Sequence, residues 1–225
     1  RILMLTYRGE TDVERGFRDF LTANEIKTEI ITRDAGSDAH RIPSMIADLD
    51  TLKPDLIYTW GTSVTLGVVG PYDSTDPHYV RDIPVVFALV SAPVRSKIAR
   101  SDTSSGRNVT GAVHVVPTDV HMRAMQAYKP FKSLGVLYSP TEENSRVIVE
   151  ETKAICAKMG ASVMAMPFKL NEAGRPTADG VEEMIRQMRE KGVNWLYLLP
   201  DTFLGSIYDR VTPTALALGI PTFSA

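Results

Sequence analysis

"GVNWLYLLPDT" (residues 192–202) repeats in outline "KPDLIYTWGTS" (residues 53–63). Each has a short polar lead, a run of aromatic and aliphatic residues, and a small polar turn. Apolar runs of this length, bounded by turn residues, read as buried strands. The first strand ends in Gly61-Thr62-Ser63 and the second in Pro200-Asp201-Thr202. "DIPVVFALV" (82–90) and "GIPTFSA" (219–225) correspond in the same way. Strands are predicted to begin near Ile2, Thr28, Leu56 and Val85, and again near Leu134, Ser162, Trp195 and Pro221. The spacings are 26, 28 and 29 residues, then 28, 33 and 26. This order predicts two units of one architecture, residues 1–113 and 114–225, joined through "SGRNVTGAVHVVPTD" (105–119). Pro221 aligns with Pro84, so Ala225 falls where the first unit has Ala88 and continues through "LVSAP". A strand stopping there would leave backbone groups unpaired, so further sequence completing the second sheet is expected.

Between the strands the period becomes helical. Val13, Phe17, Phe20 and Leu21 lie at i, i+4, i+7 and i+8, behind "TDVE" (11–14), which has the form of a capping box. Val181, Met184, Ile185 and Met188 give a second apolar face, and Val120, Ala124, Ala127 and Tyr128 a third. Alternating strands and helices predict an α/β fold of parallel sheets covered on both faces.

Composition narrows the function classes. Hydrophobic residues make up 44% of the chain and charged ones 23%, enough apolar material for a sizeable core. Residues 1–113 carry 13 Lys/Arg against 15 Asp/Glu, and the remainder 12 against 12. Neither unit has the basic excess that drives phosphate binding, which argues against a nucleic-acid partner. Cys156 stands alone beside Ile148, Ile155 and Met159 in a helical stretch and reads as a core residue. No apolar run approaches the roughly 20 residues of a transmembrane segment. The chain opens directly on a strand, "RILMLTY", so a leader removed ahead of it is expected.

Ligands of parallel α/β sheets bind at the carboxyl ends of the strands, where helix N-termini offer free N–H groups. Gly61, Thr62 and Ser63 turn one strand into a helix, with Thr62 and Ser63 available as caps or as ligand contacts. Ser91 and Ala92 precede Pro93 in a helix-start pattern. In "LYSPTEENS" (137–145), Asn144 or Ser145 is predicted to cap the next helix, while Glu142 and Glu143 read as solvated. Tyr7 and Trp60 are strand-end aromatics that either stack on a ligand or pack in the core. Asp201 is either the partner of a ligand's positive end or the N-cap of the following helix, with Thr202 beside it. His40, His78, His114 and His121 share no metal-ligand spacing, and "DLD" (48–50) reads as a helix end. "NVT" (108–110) fits a glycosylation sequon or a turn into a strand. No Ser/His/Asp or Cys/His constellation stands out. This inventory is one of binding, not of catalysis.

In order, "KPDLIYTWGTS", "IPVVFALVSAPV", "GRNVTGAVHVVP", "LGVLYSPTEENS", "WLYLLPDT" and "GIPTFSA" resemble successive blocks of the ABC-transporter substrate-binding family that includes the tryptophan- and tyrosine-binding TrpX-type proteins. The resemblance implies the type I periplasmic-binding-protein fold: two Rossmann-like lobes, joined by a three-stranded hinge, closing on a small ligand. It implies a further stretch after "PTFSA" that completes both lobes and the hinge. It also implies export as a periplasmic or lipid-anchored protein, an ABC permease and an ATPase as partners, and no cofactor. Carried over by position, the pocket would use Gly61-Thr62-Ser63, Ser91-Ala92, Asn144-Ser145 and Asp201 with Thr202. The departure is "SAP" at 91–93, where the family's acidic turn has given way to Ser91. The expected function is an extracytoplasmic solute-binding protein of an ABC importer, with an amino-acid-like or aromatic ligand in the cleft between its lobes. The alternative is the ligand-sensing module of a signalling or regulatory protein. An enzyme would need an acid/base or metal constellation that the sequence does not offer.

Overall fold

All five residues of β1 (Ile2–Thr6) are buried, as a parallel strand covered on both faces requires. It pairs in parallel with β2 (Ile30–Asp34) on one side and with β3 (Leu56–Trp60) on the other. β4 (Val85–Ala88) and β5 (Val109–Gly111) extend the sheet beyond β3, giving the order β2-β1-β3-β4-β5. Helices α1 (Asp12–Ala23), α2 (Ile42–Met45), α3 (Leu49–Leu52) and α4 (Gly61–Val69) connect these strands. The computed structural model describes all 225 residues and divides into two compact units, Arg1–His114 and Val115–Ala225.

The second unit runs through α5 (Thr118–Tyr128), β6 (Ser133–Tyr138), α6 (Glu143–Lys158) and β7 (Ser162–Pro167). A small antiparallel hairpin follows, β8 (Lys169–Leu170) with β9 (Pro176–Thr177). The chain continues through α7 (Val181–Glu190), β10 (Trp195–Leu198), α8 (Thr202–Gly205), α9 (Tyr208–Ala217) and β11 (Thr222–Ser224). Its parallel sheet has the order β11-β10-β6-β7. Written from the second-arriving strand, this is the same order as β2-β1-β3-β4, so the repeat in the sequence is a repeat of topology. The chain reverses direction across the sheet between β1 and β3 in one unit, and between β6 and β10 in the other. Those are the two switch points where a doubly wound sheet opens a crevice at its carboxyl edge.

Four expectations need revision. β5 adds a fifth strand that a four-strand repeat does not contain. It closes tightly on β4, because a Cβ at Gly111 would lie 2.3 Å from the Phe87 carbonyl oxygen. The α1 capping box forms as expected, with the Thr11 side chain accepting from Val13 N and Glu14 returning to Thr11 N. The face of α1 differs, however: Glu14 is buried while Phe20 is 62% exposed, and Phe17 packs on Tyr58. In α5 the expected face is outward, with Tyr128 85% exposed, and Met122 and Met125 are buried instead. Met122 lies against Cys156 of α6, Sγ to Sδ 3.7 Å. Finally, the Pro93 pattern yields a run of turns rather than a helix, with Ser96 N donating to the Ala92 carbonyl at 2.9 Å.

The face of α7 is as expected: Val181, Met184, Ile185 and Met188 are all buried. Asp48, in "DLD", lies at the turn between α2 and α3 and holds Arg33 through two hydrogen bonds of 2.6 and 2.9 Å. Cys156 is fully buried, and that burial pushes its thiol up to about 11. No helix is long and apolar enough to cross a membrane.

Candidate functional site

In the first unit the switch point is built from the ends of β1 and β3. Tyr7 and Trp60 stack there with ring planes 6° apart and centroids 6.4 Å apart. Arg8 lies over the Trp60 ring, its guanidinium carbon 5.3 Å from the centroid. The loop after β1 is held by Asp34 at the end of β2, which accepts from Thr6 Oγ1 at 2.6 Å, Gly9 N at 2.6 Å and Gly36 N at 2.7 Å. Burial alone would raise the Asp34 carboxyl, but these donors hold it below its ordinary value. The Tyr7 hydroxyl donates to the Ser37 carbonyl at 3.2 Å, which orients its ring.

α4 begins directly at Gly61, whose φ of +77° allows the strand to turn into the helix without a linker. Neither Thr62 nor Ser63 caps the helix; both lie in its first turn, and no side chain bonds its free N–H groups. Thr65 instead braces the turn, donating to the Gly61 carbonyl at 2.7 Å and meeting Thr59 Oγ1 at 2.9 Å. Thr62 is 4% exposed and Trp60 5%, and yet Thr62 Oγ1 and Trp60 Nε1 have no hydrogen-bond partner. Buried polar atoms are nearly always paired, and each orphan costs on the order of 1–3 kcal/mol. Both residues belong to the start of a nine-residue helix, Trp60 at its N-cap position and Thr62 in its first turn. Ser91 and Ala92 are half-buried beyond the end of β4.

In the second unit the switch point lies between β6 and β10. Asp201 is the N-cap of α8, accepting from Leu204 N at 2.8 Å. Its other oxygen accepts from Ser139 N at 2.6 Å and Ser145 Oγ at 2.7 Å, so it ties the end of β10 to β6 and α6. Asn144 Nδ2 donates to the Pro200 carbonyl at 2.7 Å. Asn144 and Ser145 thus reach across to the β10 turn and do not cap α6, whose N-cap position is Glu142. Glu142 is not solvated as the sequence suggests: it is 6% exposed, like Asp201. Its carboxylate accepts from Thr202 N at 3.0 Å and Phe203 N at 3.2 Å, giving the short α8 a second acidic cap. Burial, and then the charge of Asp201, push Glu142 up to about 7, and burial raises Asp201 as well. The aromatic pair Phe168–Phe203, with centroids 5.0 Å apart, covers the same turn.

The structure thus gathers Tyr7, Trp60, Gly61, Thr62 and Ser63 at one strand edge, and Asn144, Ser145, Asp201 and Thr202 at the other. Arg8 and Glu142 escape a reading of the sequence. Arg8 follows a strand with no motif around it, and the donors to Glu142 lie 60 and 61 residues downstream. Among the histidines, His121 is buried, its Nδ1 3.1 Å from the Tyr197 hydroxyl.

The sequence profile of the family described as "ABC transporter substrate binding protein" matches residues 4–225. A tyrosine-binding protein of Clostridioides difficile (strain R20291) is 24% identical over 213 residues, covering 94% of this chain and 56% of that protein. The chain thus spans little more than half the length of that curated relative. The structure of an ABC domain in complex with L-Trp from Streptococcus pneumonia is similar with a TM-score of 0.79 and 22% identity, over 100% of this chain and 73% of that one. A solute-binding protein of an ABC transporter from Rhodopseudomonas palustris BisB5, in complex with 3,4-dihydroxy benzoic acid, is similar with a TM-score of 0.70 and 10% identity, over 99% of this chain and 61% of that one. The two parallel-sheet units have the type I periplasmic-binding-protein fold of these structures. Their family is a class of binding proteins and not of enzymes. With a match from residue 4 to residue 225, this chain belongs to the ABC transporter substrate-binding protein family.

Proposed function

We propose that this chain captures a small organic acid, amino-acid-like or aromatic, as the extracytoplasmic solute-binding component of an ABC importer, with a permease and an ATPase as its partners. The observation that carries the reading is the pair of unpartnered buried atoms at the start of α4, Trp60 Nε1 and Thr62 Oγ1. Both can donate, and they lie at a helix N-terminus with free N–H groups, an arrangement suited to a carboxylate. The half-buried Tyr7 ring, backed by Trp60, supplies a flat apolar surface for an aromatic or aliphatic body. In the second unit, Asp201 at the β10–α8 turn offers a carboxylate for a ligand's ammonium group. The named ligands of the relatives, tyrosine, L-Trp and 3,4-dihydroxybenzoate, all carry a carboxylate and an aromatic ring.

Calorimetric titration with L-tyrosine, L-tryptophan, L-leucine and 3,4-dihydroxybenzoate tests the reading, in the native chain and in Thr62→Val. Valine keeps the volume and removes the orphan hydroxyl. The ligand-free variant is expected to be as stable as the native chain or more stable, because a buried unpaired group is gone. Its affinity for the bound acid is expected to fall about tenfold or more. Unchanged affinity in Thr62→Val would remove the α4 turn from the site.

A further inference from the structure

Asp201 and Glu142 place two carboxyl groups in one buried spot without a countercharge. The donors they meet are neutral: Ser139 N, Ser145 Oγ and Leu204 N on Asp201, and Thr202 N, the Thr202 side chain and Phe203 N on Glu142. Charged side chains on the neighbouring helices pair with one another. Glu143 and Arg146 of α6 pair with each other, and Arg210 of α9 pairs with Glu182 of α7. Along the chain, the titratable residues that flank these segments are Tyr138 at the end of β6 and Tyr208 and Asp209 at the start of α9. None of these brings a positive charge. Two carboxylates withdrawn from water side by side are strongly disfavoured as a dianion, and such pairs retain one proton between them.

We propose that Glu142 and Asp201 share one proton in the ligand-free protein and release it when a ligand's cationic group reaches the β10–α8 turn. The second half of this statement rests on the functional reading above; the first half does not. The titration is expected near neutrality, since burial and the neighbouring charge push Glu142 up to about 7. The sign of the stability effect follows. The folded state binds this proton more tightly than the unfolded chain does. Its contribution is therefore complete below the ordinary glutamate value of about 4.5 and is lost as pH rises through about 7. A cationic ligand supplies the missing countercharge, so its affinity should strengthen as pH rises. Below the titration it should weaken by up to about tenfold per pH unit.

Three measurements on the full chain separate the two halves. In the native protein, an infrared carboxylic-acid C=O band is expected to disappear between about pH 6 and about pH 8. Over the same range, native stability in urea is expected to fall, and Glu142→Gln to remove that slope while keeping an acceptor for the α8 amides. Titration with L-tryptophan near pH 7, in two buffers of different ionisation heat, is expected to show release of about half a proton. Glu142→Gln should abolish that release. A native protein with no such band, and a variant keeping the native slope, would overturn the shared proton. A clear titration with L-tryptophan binding but releasing no proton would leave the shared proton standing and overturn its coupling to the ligand. A clear titration with neither L-tryptophan nor L-tyrosine bound would also support the shared proton, and would count against the amino-acid reading itself.

Discussion

Asp201 shows how one side chain can be both structural and available to a ligand. Its three hydrogen bonds join the end of β10, the end of β6, the start of α6 and the first turn of α8. Asp201→Ala leaves Ser139 N, Ser145 Oγ and Leu204 N without their acceptor, and should cost about 2 kcal/mol or more in urea denaturation. Asp201→Asn retains one carbonyl oxygen and a capping geometry, and should cost less. If Asp201 also meets a ligand's ammonium group, Asn loses L-tryptophan binding out of proportion to its small stability loss. The position of Asp201 at a strand end is legible in "YLLPDT", because an apolar run followed by Pro-Asp announces both a strand stop and a cap. The role of Glu142 is not legible there. A glutamate ahead of a helix reads as a solvated first-turn acid, and only the return of the chain 60 residues later buries it.

Among the elements, α4 and β5 depend on glycine for different reasons. At Gly61 the backbone is left-handed, and a Cβ would meet nothing within 4 Å. Gly61→Ala should therefore cost only backbone strain, about 1–2 kcal/mol, with the strands intact. At Gly111 a Cβ would press on both the ring and the carbonyl of Phe87. Gly111→Ala should cost more than Gly61→Ala and should speed hydrogen exchange at the β4–β5 pairing. Comparing the two urea midpoints checks the ranking. The elements also show where periodicity misleads. In α5, Val120, Ala124, Ala127 and Tyr128 keep a helical spacing, but so do Thr118, His121, Met122 and Met125, and the second set is the buried one. Two stripes of helical spacing on one helix leave the choice to tertiary packing, here against α6, where Met122 meets Cys156. α7 offers a single stripe, and its buried face is readable without a structure.

Over the whole molecule, the repeat in the sequence predicts the repeat in topology because strand order follows from where the apolar runs fall and how long the connections are. β5 lies outside that logic; it forms because Gly111 lets the chain close on Phe87, a contact that no periodicity announces. The functional reading carries a prediction at this scale. A ligand that binds only the folded chain, supplied at one hundred times its dissociation constant, should raise the unfolding free energy by about 2.7 kcal/mol. Melting curves at graded concentrations of L-tyrosine and L-tryptophan measure this, and a rise that does not depend on concentration would exclude specific binding. Cys156 gives such measurements a convenient handle. It is the chain's single cysteine, it is shut away beneath Met122, and burial keeps its thiol protonated. A cysteine introduced at an exposed position can therefore be labelled with a maleimide dye while the native one stays silent, with no need to engineer it away first.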